Sequence, residues 1–304
     1  MKKLAVLSVL ALLLVFPGCQ SSGTPQASSR PVDRFASPDM LLSNAVESRS
    51  DLTSIAGQGV MRIVDQPSSF SLTVNADVKA DDTNRLRIRG DKLAGTVQAF
   101  DVVMLGEDIG LYVPMQKALY HGKVAELRNF SFYFSPDEVL RQLLSPDTSL
   151  LLKDWQEIPA PRGMAAELVL EEVTPANRPH QIIAINRRNG MLVRVSHLDS
   201  RGEVILEKTY GDYRVSGSGR RTRNEGKVFP FLMGMNWPRE NRSMEIHFKA
   251  LEENAVILDE DFDLATSGDT QYFPLQEVNI EADLPANSVS VAPQFPGAAD
   301  SRLL

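Results

Sequence analysis

Residues with catalytic or metal-binding chemistry are scarce in this sequence. Cys19 is the only cysteine in 304 residues, so no disulfide can form within the chain. His121, His180, His197 and His247 are dispersed, and none has a partner at the spacing of metal ligands. No nucleophile elbow, phosphate loop or dinucleotide motif occurs. We therefore expect no metal, cofactor or catalytic residue, and favour a binding or structural protein over an enzyme.

Positive charge is also in short supply. The chain has 32 Lys and Arg against 39 Asp and Glu, a net charge of −7, which argues against a nucleic-acid partner. The densest basic run, Arg220-Arg221-Thr222-Arg223, lies in a Gly- and Ser-rich stretch that predicts a solvated loop. The acidic runs at 252–253 and 259–261 lack the alternating ligands and central glycine of an EF-hand, and we expect a solvated turn there.

No apolar run in the chain is long enough to span a bilayer. The longest, Leu4–Phe16, follows Lys2 and Lys3 and precedes Pro17-Gly18-Cys19, an order typical of an export signal. As a helix it would extend about 20 Å, whereas a membrane span needs about 20 residues. Residues 1–18 are therefore predicted to be a cleavable signal.

The segment Val15-Phe16-Pro17-Gly18-Cys19 resembles the lipobox of bacterial lipoprotein precursors. The resemblance implies that Cys19 is acylated, becomes the mature N-terminus and anchors the protein to a membrane. Gln20 follows where an Asp would imply retention in the inner membrane, so the resemblance implies the outer membrane, on its periplasmic face. Residues 19–37, rich in Ser, Pro, Gly and Ala, predict a flexible tether.

Two short helices are indicated by their N-terminal caps. Ser37-Pro38-Asp39 predicts a helix start, and its apolar stripe is expected at Met40, Leu41, Ala45 and Val46. A capping box, Ser135-Pro136-Asp137-Glu138, predicts a second helix, whose apolar stripe is formed by Val139, Leu140, Leu143 and Leu144.

Most of the remaining chain alternates between apolar and polar residues with a period of two, which predicts strands. Segment 97–105 is apolar at nearly every position, so we expect a central strand. Asn189-Gly190 is a strong hairpin signal. The predicted strands before the second helix are 70–78, 85–89, 97–105 and 111–113, and those after it are 166–172, 181–187, 192–198, 204–210, 229–237 and 244–251.

A sheet of so many antiparallel strands and so few helices leaves two architectures open. One is a closed or half-closed barrel with helices in its mouth, and the other is a two-sheet sandwich. The order helix, meander, helix, meander resembles the lipoprotein-sorting carriers of the LolA and LolB type. The segments that carry the resemblance are DLTSIAGQGVMRIVD, NRLRIRG, FDVVMLGEDIGLYVP and RSMEIHFKALEENAVILDEDFDL.

The resemblance implies a mainly β fold, an incomplete antiparallel barrel with a helical lid, over residues 38–265. Residues 266–304 are polar and contain several prolines, so we expect a poorly ordered tail with at most a short strand near Val278. Removing residues 270–304 is accordingly expected to leave the stability of the domain nearly unchanged.

A lidded half-barrel implies an apolar cavity that binds acyl chains, in lipid or lipoprotein sorting. The alternation of large apolar residues in 229–237 and the stripe of the second helix supply the candidate lining. The alternative is a structural or assembly lipoprotein, with a solid core, that binds a protein partner. The candidate cavity residues are Phe229, Phe231, Met233, Met235, Trp237, Leu140 and Leu143.

Overall fold

Most of the structure consists of strands of a single sheet. It is a computed structural model, and it describes residues 37–47, 51–67, 69–92, 95–129, 136–144, 148–161, 167–215 and 228–277. Two α-helices, α1 (Pro38–Glu47) and α2 (Pro136–Leu144), accompany it in these residues. The strands are β1 Ser54–Asp65, β2 Phe70–Asp81, β3 Arg85–Lys92, β4 Val97–Leu105, β5 Asp108–Val113, β6 Ala118–Lys123, β7 Trp155–Ile158, β8 Glu167–Glu172, β9 His180–Asn186, β10 Leu192–Leu198, β11 Val204–Val215, β12 Val228–Trp237, β13 Arg242–Glu253 and β14 Gln271–Pro274.

The sheet is open, with β14 at one edge and β7 at the other. Its order is β14-β6-β5-β4-β3-β2-β1-β13-β12-β11-β10-β9-β8-β7. The pairing is antiparallel except between β14 and β6, and β1 pairs with β13 to join the two meanders. The predicted fold class, mainly β with an incomplete antiparallel barrel and few helices, is confirmed, and the two-sheet sandwich is wrong. The predicted signal and nearly all of the tether lie outside the described residues.

Alternation of side chains defines two faces of the sheet. On β2 and β3 the apolar residues Leu72, Val74, Leu86 and Ile88 are buried on what we call the inner face. The polar and charged residues of the same strands lie on the outer face. Such alternation fixes the register, because a slip of one residue would bring every apolar side chain to the outer face.

The outer face of β2 and β3 is itself partly covered by a later segment. Asp261, in the 3-10 helix Asp259–Phe262, forms an ion pair with Lys79 at 2.5 Å. The backbone carbonyl oxygen of Asp261 accepts a hydrogen bond from the guanidinium of Arg87 at 2.8 Å. The guanidinium of Arg85 lies 4.5 Å from the ring centre of Phe262. The prediction of a solvated turn at 259–261 holds for the exposure of Asp259 and Glu260, but the segment is a 3-10 helix and its Asp261 is bound by outer-face cations of β2 and β3.

The boundary of the predicted tail also needs correction. Gln271–Pro274 form β14 beside β6, where the rings of Phe273 and Tyr120 stack 5.5 Å apart. Leu275 is fully buried. The stretch is polar, but its few apolar residues complete the sheet edge, so residues as far as Glu277 belong to the domain. The position near Val278 lies outside the described residues.

Apolar side chains form two cores on this sheet. The larger, which we call the large core, joins the inner face of β1–β6, β12 and β13 to α2. The small core joins β8–β10 to α1 and to the 3-10 helix Thr148–Leu152. Tyr210 on β11 packs against both cores. The members of the small core are Leu41, Leu42, Ala45, Val46, Leu150, Leu168, Leu170, Ile183, Ile185 and Val195.

Both helices start as predicted, within the limits of the described residues. Ser37 caps α1, accepting a hydrogen bond from the Met40 backbone N–H at 3.2 Å. Met40, a predicted member of the apolar stripe, is however 47% exposed, and Leu42 is buried instead. The face of α1 that contacts the small core therefore includes Leu42 and not Met40. Ser135, the predicted cap of α2, lies outside the described residues.

Candidate functional site

The structure brings the predicted cavity residues together in the large core. Phe229, Phe231, Met233 and Met235 point from β12 to the inner face, and all are at most 6% exposed. Trp237 is partly buried beside them. On the other side of this layer, α2 contributes its stripe of Val139, Leu140, Leu143 and Leu144, all buried. These side chains pack against one another, so α2 covers the apolar inner face of the sheet.

Two polar side chains attach α2 to the sheet. The carboxylate of Glu138 lies 2.8 Å from the ammonium of Lys208 on β11. The amide of Gln142 donates to the backbone oxygens of Gly234, at 3.0 Å, and Thr209, at 3.4 Å. Residues 138 and 142 are four apart and therefore share one side of the helix. Helix α2 thus has an apolar side over the large core and a polar side against β11 and β12.

Neither attachment was predicted from the sequence. Gln142 is 3% exposed although it is polar, and its position inside an apolar stripe was the available signal. Burial would raise the pKa of Glu138, but Lys208 and Arg141 outweigh it, and the pKa lies below its usual value. Glu138 is therefore ionised at neutral pH and attracts Lys208.

Methionine and phenylalanine side chains give the large core its character. Beyond β12, it contains Met61, Met104, Met244 and the ring of Phe248, all buried. A Cβ atom on Gly57 would lie 2.7 Å from that ring, so the glycine makes room for it. Methionine side chains repack easily because they are unbranched and flexible. The arrangement can accommodate apolar groups of differing shape if α2 moves away.

The ionisable groups outside this core form local pairs. His247 and Asp212 lie 2.9 Å apart across β13 and β11, and His180 lies 3.4 Å from Glu171. Within the described ranges, no three His, Cys, Asp or Glu side chains are grouped as potential metal ligands. No helix in that part of the chain is long and apolar enough to cross a membrane.

Comparison of the sequence with protein-family profiles and with curated proteins finds no match. Solved structures do resemble it. A DUF1329 family protein from Desulfovibrio piger superposes with a TM-score of 0.50 at 14% identity, over 73% of this chain and 94% of that one. A domain from Vibrio parahaemolyticus, described as an outer membrane lipoprotein-sorting protein, has a TM-score of 0.47 at 12% identity, over 73% and 94%.

The LolA superfamily protein NE2245 from Nitrosomonas europaea is a third neighbour. It has a TM-score of 0.45 at 12% identity, over 74% of this chain and 96% of that one. The structure has the open antiparallel sheet with a helix over its inner face that the sequence predicted, and it shares its fold with the DUF1329 family protein. At these identities the likeness concerns the fold alone.

Proposed function

We propose that this protein is a lipid-anchored envelope protein that binds acyl chains between helix α2 and the inner face of its sheet. One observation supports this most directly. A single short helix, α2, packs on the apolar inner face of β1–β3 within the same core as the Phe and Met side chains of β12, and its polar attachments to the sheet include those of Glu138 and Gln142. Displacing α2 would expose a continuous apolar surface without breaking the sheet.

The free energy gained by burying an acyl chain is comparable to the free energy lost by exposing the apolar side chains of α2. An acyl chain of about sixteen carbons gains roughly 12 kcal/mol on burial, at about 0.8 kcal/mol per methylene. Exposing four large apolar side chains of α2 costs about 6–12 kcal/mol, at about 1.5–3 kcal/mol each. Because the two quantities nearly cancel, an acyl chain can replace the helix at little net cost. Such binding needs an apolar surface and no catalytic group, so we further propose that the protein is not an enzyme.

The anchor would hold this site near its cargo. A tether of residues 19–37 has a root-mean-square reach of about 20–25 Å, which keeps the domain close to the membrane without fixing its orientation. We propose an outer-membrane location, on the periplasmic side, and a role in lipid or lipoprotein sorting. Cys19→Ser should release the protein into the soluble fraction, and continued tight membrane association would contradict the anchor.

Extractable lipid tests the binding site itself. Protein expressed without residues 1–18 and with Cys19→Ser has no covalent acyl group, so any lipid in an organic extract is bound noncovalently. Mass spectrometry of that extract should find acyl lipid at a level approaching one molecule per protein. A protein that is lipid-free, and remains so after incubation with fatty acid, would exclude the proposed site.

The close packing of the large core favours a second candidate. Phe248 rests against Gly57, and the ring of Phe100 would lie 2.6 Å from a Cβ on Gly90. Interiors packed in this way serve as well in a structural lipoprotein that binds a protein partner through its surface. A lipid-free protein that copurifies with one envelope protein in stoichiometric amount would support this alternative.

A further inference from the structure

Strands β12 and β13 are paired over only part of their length. Leu232–Trp237 of β12 pair with Arg242–His247 of β13. Earlier in β12, Val228–Pro230 pair with β11, and from Phe248 onward β13 pairs with β1. The two strands therefore diverge within the sheet, and we call the gap between 228–231 and 248–253 the split.

A β-bulge in β13 lies where the split begins. Gln58 of β1 is opposite Ala250 and Gly59 is opposite Phe248, so Lys249 is an extra residue with no partner on β1. Gly59 permits the bulge, because a Cβ at this position would collide with the His247 carbonyl oxygen. Bulges bend the strand that contains them and redirect its side chains. The bulge accounts for the divergence of β13 from β12.

A groove of about 600 Å³ occupies the split. Its outer part is lined by residues of β1, β2 and β13, among them Gln58 and Ala250, both exposed. Its deeper walls include Phe231 and Leu251, which are members of the large core. The groove therefore runs from solvent to the apolar core from the side opposite α2, and its volume is in the range of small-molecule sites.

The rim of the groove carries one lysine that has no partner. Lys249 makes no ion pair or hydrogen bond within the part of the chain that the structure describes. Lys79, also on the rim, is bound to Asp261. The carboxylates on the rim are Asp77 and Glu252.

The Asp77 carboxylate repels a bound anion less strongly than its position on the rim suggests. Burial raises its pKa, against the opposing effects of Lys79 on the same strand and of Arg87 and Arg89 on β3. Those three cations reduce the effect of its negative charge only in part, because each is also paired with another carboxylate, that of Asp261, Asp101 or Asp91. Glu252 is exposed, so solvent screens it.

We infer that the split is the entrance through which an acyl chain with an acidic head group reaches the large core, and that Lys249 pairs with the head group. This inference rests on the proposed function. The chain would lie along Phe231 and Leu251, and the head group would remain at the solvent-exposed bulge. Residues 216–227, which connect Val215 on the groove wall to β12, are a rival occupant, but they contain no large apolar residue to cover these walls.

Blocking the groove tests the entrance. Ala250→Trp and Gln58→Trp place a large ring at exposed positions on its rim, in the full chain carrying Cys19→Ser. The matched control is Ser243→Trp on the same strand, which lines a different outer-face depression of about 290 Å³. Stopped-flow binding of a fluorescent palmitate analogue should slow at least tenfold for the first two variants and be unchanged for the control.

The outcomes separate the entrance from the site. Absence of binding to the protein without these tryptophans would overturn both the site and the entrance. Normal binding with unchanged rates in Ala250→Trp and Gln58→Trp would overturn the entrance alone, leave the site under α2 standing and permit residues 216–227 to fill the groove.

The head group is tested by Lys249→Gln. The affinity for palmitate and for hexadecyl phosphate should fall about two- to fivefold, as expected for an exposed ion pair, whereas the affinity for hexadecanol should not change. A selective loss with one of the two acids would identify carboxylate or phosphate as the preferred group. An equal loss for all three ligands, or no loss for either acid, would overturn the pairing.

Discussion

The two cores of this sheet are covered by helices of similar length but are built from different residues. Under α1, the described small core consists of Leu, Ile, Val and Ala side chains, with Trp155 beside it. Under α2, the large core is also mostly aliphatic but adds Met and Phe side chains from β1, β4, β12 and β13, and the helix carries the polar attachments of Glu138 and Gln142. Branched aliphatic side chains pack in few ways, whereas methionine repacks easily. On the proposed function, we expect α1 to stay fixed and α2 to be displaceable.

The largest expected effect comes from equal truncations in the two cores. Leu168, on β8, is fully buried in the small core, and Leu168→Ala should cost about 2–5 kcal/mol of unfolding free energy. Leu143→Ala on α2 should cost less than about 2 kcal/mol, because the helix can shift to close the space. Urea denaturation measures both. Equal losses would contradict a displaceable α2.

Truncation at the C-terminus tests the edge of the large core. Removing residues 271–304 deletes β14 and the fully buried Leu275, and should cost about 2–3 kcal/mol for that side chain and its neighbours. Removing only residues 278–304 is the control, and we expect the melting temperature to stay nearly the same. If the longer truncation is equally harmless, β14 is not an integral part of the sheet.

Gln142 provides a smaller effect. Gln142→Leu keeps the volume of the side chain but removes the hydrogen bonds to Gly234 and Thr209, and should cost about 1 kcal/mol. It should also speed the uptake of fatty acid, because α2 is held less firmly. Gln156→Leu, the same substitution at an exposed position of β7, is the control. Slower uptake in Gln142→Leu would show that this residue does not restrain the helix.

The smallest effect is a pH dependence confined to α2. The folded-state pKa of Glu138 is lowered, so its contribution to stability is complete above the ordinary glutamate pKa of 4.5 and is lost as pH falls below that value. Glu138→Gln should therefore reduce the loss of melting temperature between pH 5 and pH 3. An identical acid sensitivity in Glu138→Gln and the unsubstituted protein would argue against the ion pair with Lys208.

The strands could be predicted because one face of the sheet is buried. Leu72, Val74, Leu86 and Ile88 alternate with polar residues, and this pattern requires no knowledge of distant contacts. The position of the 3-10 helix Asp259–Phe262 on the outer face of the sheet could not be predicted. Its acidic residues bind Arg85 and Lys79, which lie 174 and 182 positions away in the chain. Local patterning reveals strands, but it does not reveal which charged segments pair across the fold.

The lining of the candidate site could be predicted from local sequence patterns, but the split could not. The period-two run of β12 and the stripe of α2 identified residues that do meet in the large core. The split between β12 and β13 was not foreseen, because a bulge arises from the register of two strands far apart in the chain. Gly59 was its only local sign, and glycine within a strand is equally typical of a tight bend or a close backbone contact.

Whether acyl chains enter the large core is decided by two substitutions at Met233. It is 2% exposed on β12 in the layer beneath α2. Thermal stability and binding of a fluorescent fatty acid should be measured for Met233→Glu and for the control Met233→Leu. We expect Met233→Leu to bind normally, whereas Met233→Glu should lose binding but still fold, because its carboxylate can reach water when α2 moves. Unfolding of Met233→Glu together with no binding by the unsubstituted protein would show that β12 is ordinary core.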